Sequence, residues 1–229
     1  YDECKKRKIK IVEDAAESLG SKYIKGKFKG RHTGTIGEVG CLSFNGNKII
    51  TSGGGGAILT NNKKLKEKAL YYITQAKDDS LNYIHNQVGY NYRLSNLHSA
   101  VGFAQLQNFG YYLNKKKLIN KIYKNRFSNL KKSFELSDNP EYAKNNYWIN
   151  ILRSKKKISK NLVRHLIKNK IFVRPIWYPN HLQKIYKNCE KYKIKNALDL
   201  LKSCICLPSS VKLSKFQLNK IIKIINSFK

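Results

Sequence analysis

The sequence predicts an α/β chain in two parts, and three observations carry that prediction. Short β-branched runs alternate with segments of helical period from about residue 9 to residue 76. The same alternation restarts after about residue 136. Between the two lies one long stretch with helical pattern and a serine cap.

Residues 9–14, "IKIVED", read as a strand that ends in two carboxylates. "AAESLGSKYIKGKFKGRHTGTIG" follows as a brief helix-like turn and a glycine-punctuated loop. Strands are expected at 38–44 and 56–60, on either side of "NGNKIITSGGG". In "NNKKLKEKALYYITQA" (61–76), Leu65, Ala69, Leu70 and Ile73 recur at helical spacing behind an asparagine cap. "KDDSLNYIHNQVGYNYRL" is polar and aromatic and too long for a plain connector, which makes it a candidate functional loop. A long helix should start at the cap Ser95 and run into "LNKKKLINKIYKNRFSNLKK", bending near Gly110. Beyond residue 136, "YWINILR" reads as a strand, "SKNLVRHLIKNK" as a helix capped by Ser159, and "IFVRPIW" as another strand. "NALDLLKS" is helical, "CICLP" a strand, and "SKFQLNKIIKIINSF" a closing amphipathic helix capped by Ser214.

Composition sets limits on class. Hydrophobic residues make up 41% of the 229, a globular rather than a disordered balance. No apolar run approaches the ~20 residues that span a bilayer, and nothing resembles a signal peptide. The five cysteines (Cys4, Cys41, Cys189, Cys204, Cys206) lack metal-type spacing and read as reduced thiols of a cytoplasmic protein. The net charge of +32 raises a rival reading, a basic module for nucleic acids or other polyanions. Only seven of the 46 basic residues are arginine, the fork that reads phosphates and bases, and the lysines are spread over every segment. That pattern predicts loose, salt-sensitive binding rather than specific recognition. The chain has no methionine and opens almost directly into a strand pattern. It is therefore expected to be an incomplete piece of a longer protein, and an inactive fragment is a further reading.

Three side chains could carry chemistry. Lys48 lies between apolar runs, close to four glycines, so its stem either snorkels to solvent or keeps an amine for bonding an aldehyde. Asp14 ends a strand, where α/β proteins place ligand groups. A carboxylate there can hold a ring nitrogen protonated, or it can cap its own loop. Ser43 offers a hydroxyl to a phosphate, or to nearby backbone.

"EDAAESLGS" (13–21), "GEVGCLSFNGNKIITSGGGGAILT" (37–60), "GYNYRLSN" (89–96), "VRPIWYPNHLQ" (173–183) and "ICLPSS" (205–210) together resemble the DegT/DnrJ/EryC1/StrS sugar aminotransferases. The resemblance implies pyridoxal 5'-phosphate as cofactor and the aspartate-aminotransferase fold (fold type I). Residues 1–108 would be the C-terminal part of the large domain and 109–229 the small α/β domain. It implies that Lys48 bonds the cofactor, Asp14 pairs with its ring nitrogen, Glu17 lies beside the ring and Ser43 holds its phosphate. Asn91 would reach the phosphate of a neighbouring subunit, giving a homodimer with shared sites. His85, Tyr92, Arg93, Arg174, Trp177 and His181 are the implied substrate-side residues. No metal, membrane or specific nucleic acid is implied, and the lysine at 48 sets the chain apart from the dehydratase branch, which has histidine there.

Within the family, "NGNKIIT", "TQA", "HNQVGYNYRLSN" and "RPIWYPNH" look most like the branch that aminates C4 of UDP-linked 4-keto-6-deoxy-N-acetylhexosamines, of the bacillosamine and legionaminic-acid type, with perosamine synthases close by. Tyr178 and Asn180 depart from that branch, which usually has a basic residue and often a methionine there. The long N-terminal part of full family members, with its ring-stacking aromatic, has no counterpart in the chain.

Overall fold

The computed structural model describes residues 1–128 and 133–228. In chain order the elements are α1 (Asp2–Lys6), β1 (Val12–Asp14), β2 (Lys22–Tyr23), β3 (Val39–Ser43), β4 (Gly56–Leu59), α2 (Lys63–Ile73), α3 (Asn96–Gln107) and α4 (Phe109–Ser128). They continue with β5 (Phe134–Leu136), β6 (Ala143–Lys144), β7 (Asn150–Ser154), α5 (Ser159–Lys168), β8 (Arg174–Pro175), α6 (Asn196–Ser203), β9 (Cys204–Leu207) and α7 (Lys215–Asn226). No helix among the described residues is long and apolar enough to cross a membrane. The chain forms two compact units, Tyr1–Leu113 with Asn139–Asn146, and Asn114–Asp138 with Tyr147–Lys229. The return of 139–146 to the first unit has no signal in the sequence.

The first unit is built on a sheet of order β1-β3-β4, with β1 parallel to β3 and β3 antiparallel to β4. The ladder of β1 begins at Val12, three residues later than the apolar run predicts. Ile11 instead exchanges bonds with residue 38: its N–H donates to the Glu38 carboxylate at 2.6 Å and its carbonyl accepts the Glu38 N–H at 3.0 Å. The Ile11 N–H holds that carboxyl below its usual range. Period-two alternation turns Glu13 away from the face that carries Asp14. The Glu13 carboxylate accepts the main-chain N–H groups of Gly34 (2.9 Å), Ile36 and Gly37 (2.7 Å), fixing the loop that leads into β3. Gly40 lets that loop close on the strand, since a methyl there would lie 2.0 Å from the Gly34 carbonyl oxygen.

Local caps behave as the sequence predicts where they are self-contained. Asn62 accepts the Leu65 N–H at the start of α2, and Ser95 accepts the His98 N–H at the start of α3. The expected long helix, however, is interrupted at Asn108, two residues before Gly110. The Asn108 amide donates to the Ala104 carbonyl at 3.0 Å, competing with the helical ladder for that acceptor. The end of that expected helix, 129–132, lies outside the described residues.

The second unit is a four-stranded antiparallel sheet of order β5-β7-β9-β8. Its core joins Ile119, Tyr123 and Phe127 of α4 to Leu152, Ile205, Leu162, Leu166, Ile221 and Ile225. Each such side chain contributes about 1.5–3 kcal/mol relative to exposure. The amphipathic α7 has the expected cap, a reciprocal box between Ser214 and Gln217. Ser159 does not cap α5: Ile158 takes that position, and the Ser159 hydroxyl donates to the Leu201 carbonyl at 2.9 Å. The strand expected over 171–177 shrinks to Arg174–Pro175, because proline has no N–H for a ladder and belongs at a sheet edge. Under α4, the buried Lys116 ammonium donates to the carbonyls of Trp148 (2.9 Å) and Ser209 (2.6 Å). Burial pushes it down to about 8. All five cysteines are free, and burial pushes the Cys206 thiol up to about 11, away from thiolate chemistry.

Candidate functional site

Parallel pairing aligns the ends of β1 and β3, with Asp14 opposite Cys41 and Ser43 two residues further on. Both chemically interesting side chains therefore emerge at the carboxyl edge of a parallel pair, where α/β folds bind ligands. Asp14 is exposed and its carboxylate accepts the Ala16 N–H at 3.1 Å, so it also caps its own turn. Ser43 Oγ accepts the Asn45 N–H at 3.4 Å, and the same hydroxyl retains its proton for another acceptor.

The loop after β3 answers why a lysine is placed there. Its backbone is tied down at both ends: Ser52 N–H and the Thr51 hydroxyl donate to the Phe44 carbonyl at 3.0 Å each, and Phe44 N–H donates to Gly55. Gly56 permits the close return, since a methyl there would come within 2.2 Å of the Leu42 carbonyl oxygen. Lys48 N–H bonds to the Asn45 carbonyl, and Ile49 and Ile50 beside it are buried. The Lys48 side chain is consequently only 13% exposed, and its Nζ lies 3.4 Å from Oε1 of Glu17, which is 54% exposed. Glu17 comes from the turn after β1. Asp14, Glu17, Ser43 and Lys48 thus all belong to the ends of β1 and β3 and the turns that follow them.

Asn91 belongs to the same unit but is held by different elements. Its backbone bridges to Thr74 at the end of α2, flanked by Gln75 N–H to Tyr90 and Tyr92 N–H to Ile73. The loop before it is internally braced: the Asn86 N–H and the Tyr71 hydroxyl hold the Asp78 carboxyl below its usual range. His85 Nδ1 is 2.8 Å from the Gln75 carbonyl oxygen. Tyr92 stacks on Tyr90 with ring centroids 5.0 Å apart, and Tyr92 and Arg93 line a cavity of about 650 Å³ with Ile58 and Leu70. Arg174, Trp177 and His181 lie in the second unit, where Arg174 is in the edge strand and the Trp177 ring is 6.0 Å from that of Trp148. The expected substrate residues are therefore divided between the two units.

Two supporting residues escape sequence reasoning. Glu13 reads only as the neighbour of Asp14, although strand alternation already sends it to the other face. Asn146, in "KNNYW", carries no local signal at all, yet its side-chain amide bonds the turn that bears Glu17.

The family model described as the DegT/DnrJ/EryC1/StrS aminotransferase family matches residues 2–226. The chain is 35% identical over 224 residues to EpsN of Bacillus subtilis, whose name describes a pyridoxal phosphate-dependent aminotransferase, covering 95% of this chain and 56% of that protein. It is 37% identical over 226 residues to the GDP-perosamine synthase of Escherichia coli O157:H7, covering 98% of this chain and 59% of the relative. The structure superposes with a TM-score of 0.88 and 23% identity on PseC of Helicobacter pylori, an aminotransferase involved in pseudaminic acid biosynthesis, over 98% of this chain and 61% of that one. The likeness to PseC shows the same fold. The chain spans under two thirds of the length of each of these proteins.

The donor set fits pyridoxal phosphate. A carboxylate is available to a ring N–H, a sheltered amine to an aldehyde and a hydroxyl to a phosphate, and all come from adjoining strand ends.

Proposed function

The chain belongs to the DegT/DnrJ/EryC1/StrS aminotransferase family, and from that membership we propose what the whole protein does. It moves an amino group from an amino acid, with glutamate as the expected donor, to C4 of a nucleotide-linked 4-keto-6-deoxy sugar, in the cytoplasm, for surface-glycan biosynthesis. The observation that carries this reading is the sheltered Lys48 amine beside Glu17, at the strand ends that also present Asp14 and Ser43.

Bound pyridoxal phosphate would supply an aldehyde for amine exchange and a ring that takes up electron density. Lys48 would hold the cofactor through Nζ and, once freed, would give and take a proton as general acid and base. Asp14 would keep the ring nitrogen protonated, Ser43 would donate to the phosphate, and Glu17, 3.4 Å from Lys48 Nζ, would lie beside the ring and orient the Lys48 side chain. Tyr92, Arg93 and His85, with Arg174, Trp177 and His181, are proposed for the sugar nucleotide. Full-length protein incubated with pyridoxal phosphate, glutamate and a nucleotide-linked 4-keto-6-deoxyhexose should yield the 4-amino sugar and 2-oxoglutarate by mass spectrometry. If neither product forms with either UDP- or GDP-linked ketosugars, the proposed substrate class is wrong.

The same reading gives a homodimer in which Asn91 completes the partner's phosphate site. In its support, the Asn91 side chain is exposed on a braced loop, and the neighbouring α3 buries none of its residues, leaving Leu97 and Phe103 on the surface. In a dimer of one Lys48→Ala chain and one Asn91→Ala chain, both lesions then share one site and the other site is intact. That mixture should recover about half of wild-type activity. Activity no better than either parent would place Asn91 within its own chain.

A further inference from the structure

We propose that Asn146 is a positioning residue for the Glu17–Lys48 pair, an inference that rests on the cofactor-site reading above. Asn146 is 3% exposed, and its side-chain amide donates to two main-chain carbonyls, those of Glu17 at 2.9 Å and Leu19 at 3.1 Å. Its own N–H donates to Ser21 Oγ at 3.1 Å. All three partners belong to one turn, and one of them is the residue whose carboxylate lies 3.4 Å from Lys48 Nζ.

A glutamate on a surface turn does not hold one geometry by itself, because each free rotor costs entropy to fix. Here the backbone beneath it is clamped. The Thr33 hydroxyl lies within bonding distance of the carbonyls of Ser18 (3.1 Å) and Ser21 (3.5 Å), and Ser18 N–H bonds back to Ala15. Asn146 donates to two further carbonyls of this turn, those of Glu17 and Leu19. An asparagine suits this position because two donors on one planar group match two carbonyl oxygens, and an aspartate of the same shape would set oxygen against oxygen. Segment 139–146 returns to the first unit and supplies this clamp more than 120 residues after the turn it holds. The chain that secures Glu17 is thereby distant in sequence from both members of the pair.

The test uses the full-length protein without added cofactor, and follows acetylation of Lys48 by acetic anhydride through peptide mass spectrometry. Glu17 Oε1 lies 3.4 Å from the Lys48 amine and restrains it, so Glu17→Gln, which loosens that contact, should speed labelling roughly 2- to 5-fold. Asn146→Ala should reproduce most of that increase, and the double variant should label no faster than Glu17→Gln alone. Asn146→Ser, which keeps one donor, should fall between wild type and Asn146→Ala, and it carries the test if the alanine variant does not fold. A thermal midpoint lowered with labelling unchanged would overturn the inference, as would increases that simply add in the double variant. The visible band of added pyridoxal phosphate is recorded alongside. A band that persists in Lys48→Ala removes the cofactor-site reading itself, whereas a normal lysine-dependent band with wild-type labelling in the Asn146 variants removes only the positioning role.

Discussion

Replacing Lys48 by alanine in the full-length protein is expected to abolish the visible absorbance of bound pyridoxal phosphate and to lower transamination by at least about 10³-fold, since one group serves both as anchor and as proton carrier. Only a primary amine can bond the cofactor aldehyde, and the loop around residue 48 offers no second one in the same setting. Ile49 and Ile50 are buried, and the loop is fixed by Ser52, Thr51 and Phe44, so Lys48 is held in that place. Proton transfer is lost in the same stroke, because methyl has nothing to exchange. The fold should survive: the side chain is sheltered but ends at an exposed carboxylate, and an ion pair with so exposed a partner is worth little. The checks are an absorbance titration with pyridoxal phosphate, a far-UV spectrum and the rate of 2-oxoglutarate formation. Unchanged absorbance and rate in a folded variant would end the assignment of Lys48.

What the sequence makes legible is what local forces decide. The strands around residues 39–43 and 56–59 announce themselves because apolar and small residues are packed into short runs bounded by glycine. Asn62, Ser95 and Ser214 announce helix starts because a cap bonds to the backbone three residues on. Ser159 misleads for the opposite reason. Its hydroxyl finds the Leu201 carbonyl, 42 residues away in sequence, and that tertiary acceptor wins over the local one. Asn108 breaks a helix that periodicity would continue, because its side chain bonds a carbonyl of the preceding turn.

The site divides along the same line. Asp14 and Ser43 can be placed at strand ends from pattern alone, but the parallel register that sets them side by side belongs to the fold. Whether Lys48 snorkels or serves chemistry is undecided by its own neighbours in sequence. Its shelter depends on a loop closed by Gly56 and on a glutamate from another turn. Glu13 and Asn146 act through backbone groups of distant segments, a role that no residue type advertises.

Asp14→Asn is expected to leave the fold and cofactor binding largely intact while slowing turnover by about 10- to 10³-fold. The range follows from the role of the carboxylate. An opposite charge beside a titrating group shifts its balance by about one to three pK units, and a neutral amide forfeits that share of ring protonation. The ring nitrogen must carry its proton for the ring to draw in electron density, so the loss falls on the proton-transfer steps at the reacting carbon. Structure favours a clean result. Asp14 is exposed at the end of β1, its ladder bonds to β3 are main-chain, and the Ala16 N–H that its side chain accepts can be taken equally by the asparagine oxygen. The turn bearing Glu17 keeps its other clamps at Asn146 and Thr33. Cofactor should therefore still bind with a visible band, and the rate deficit should show in both half-reactions, with glutamate and with the keto sugar, because each needs the same protonated ring. Single-turnover kinetics of the two halves give the comparison. Wild-type rates in both would reduce Asp14 to the cap of its own turn, and a deficit confined to one half would assign it to a substrate rather than to the ring.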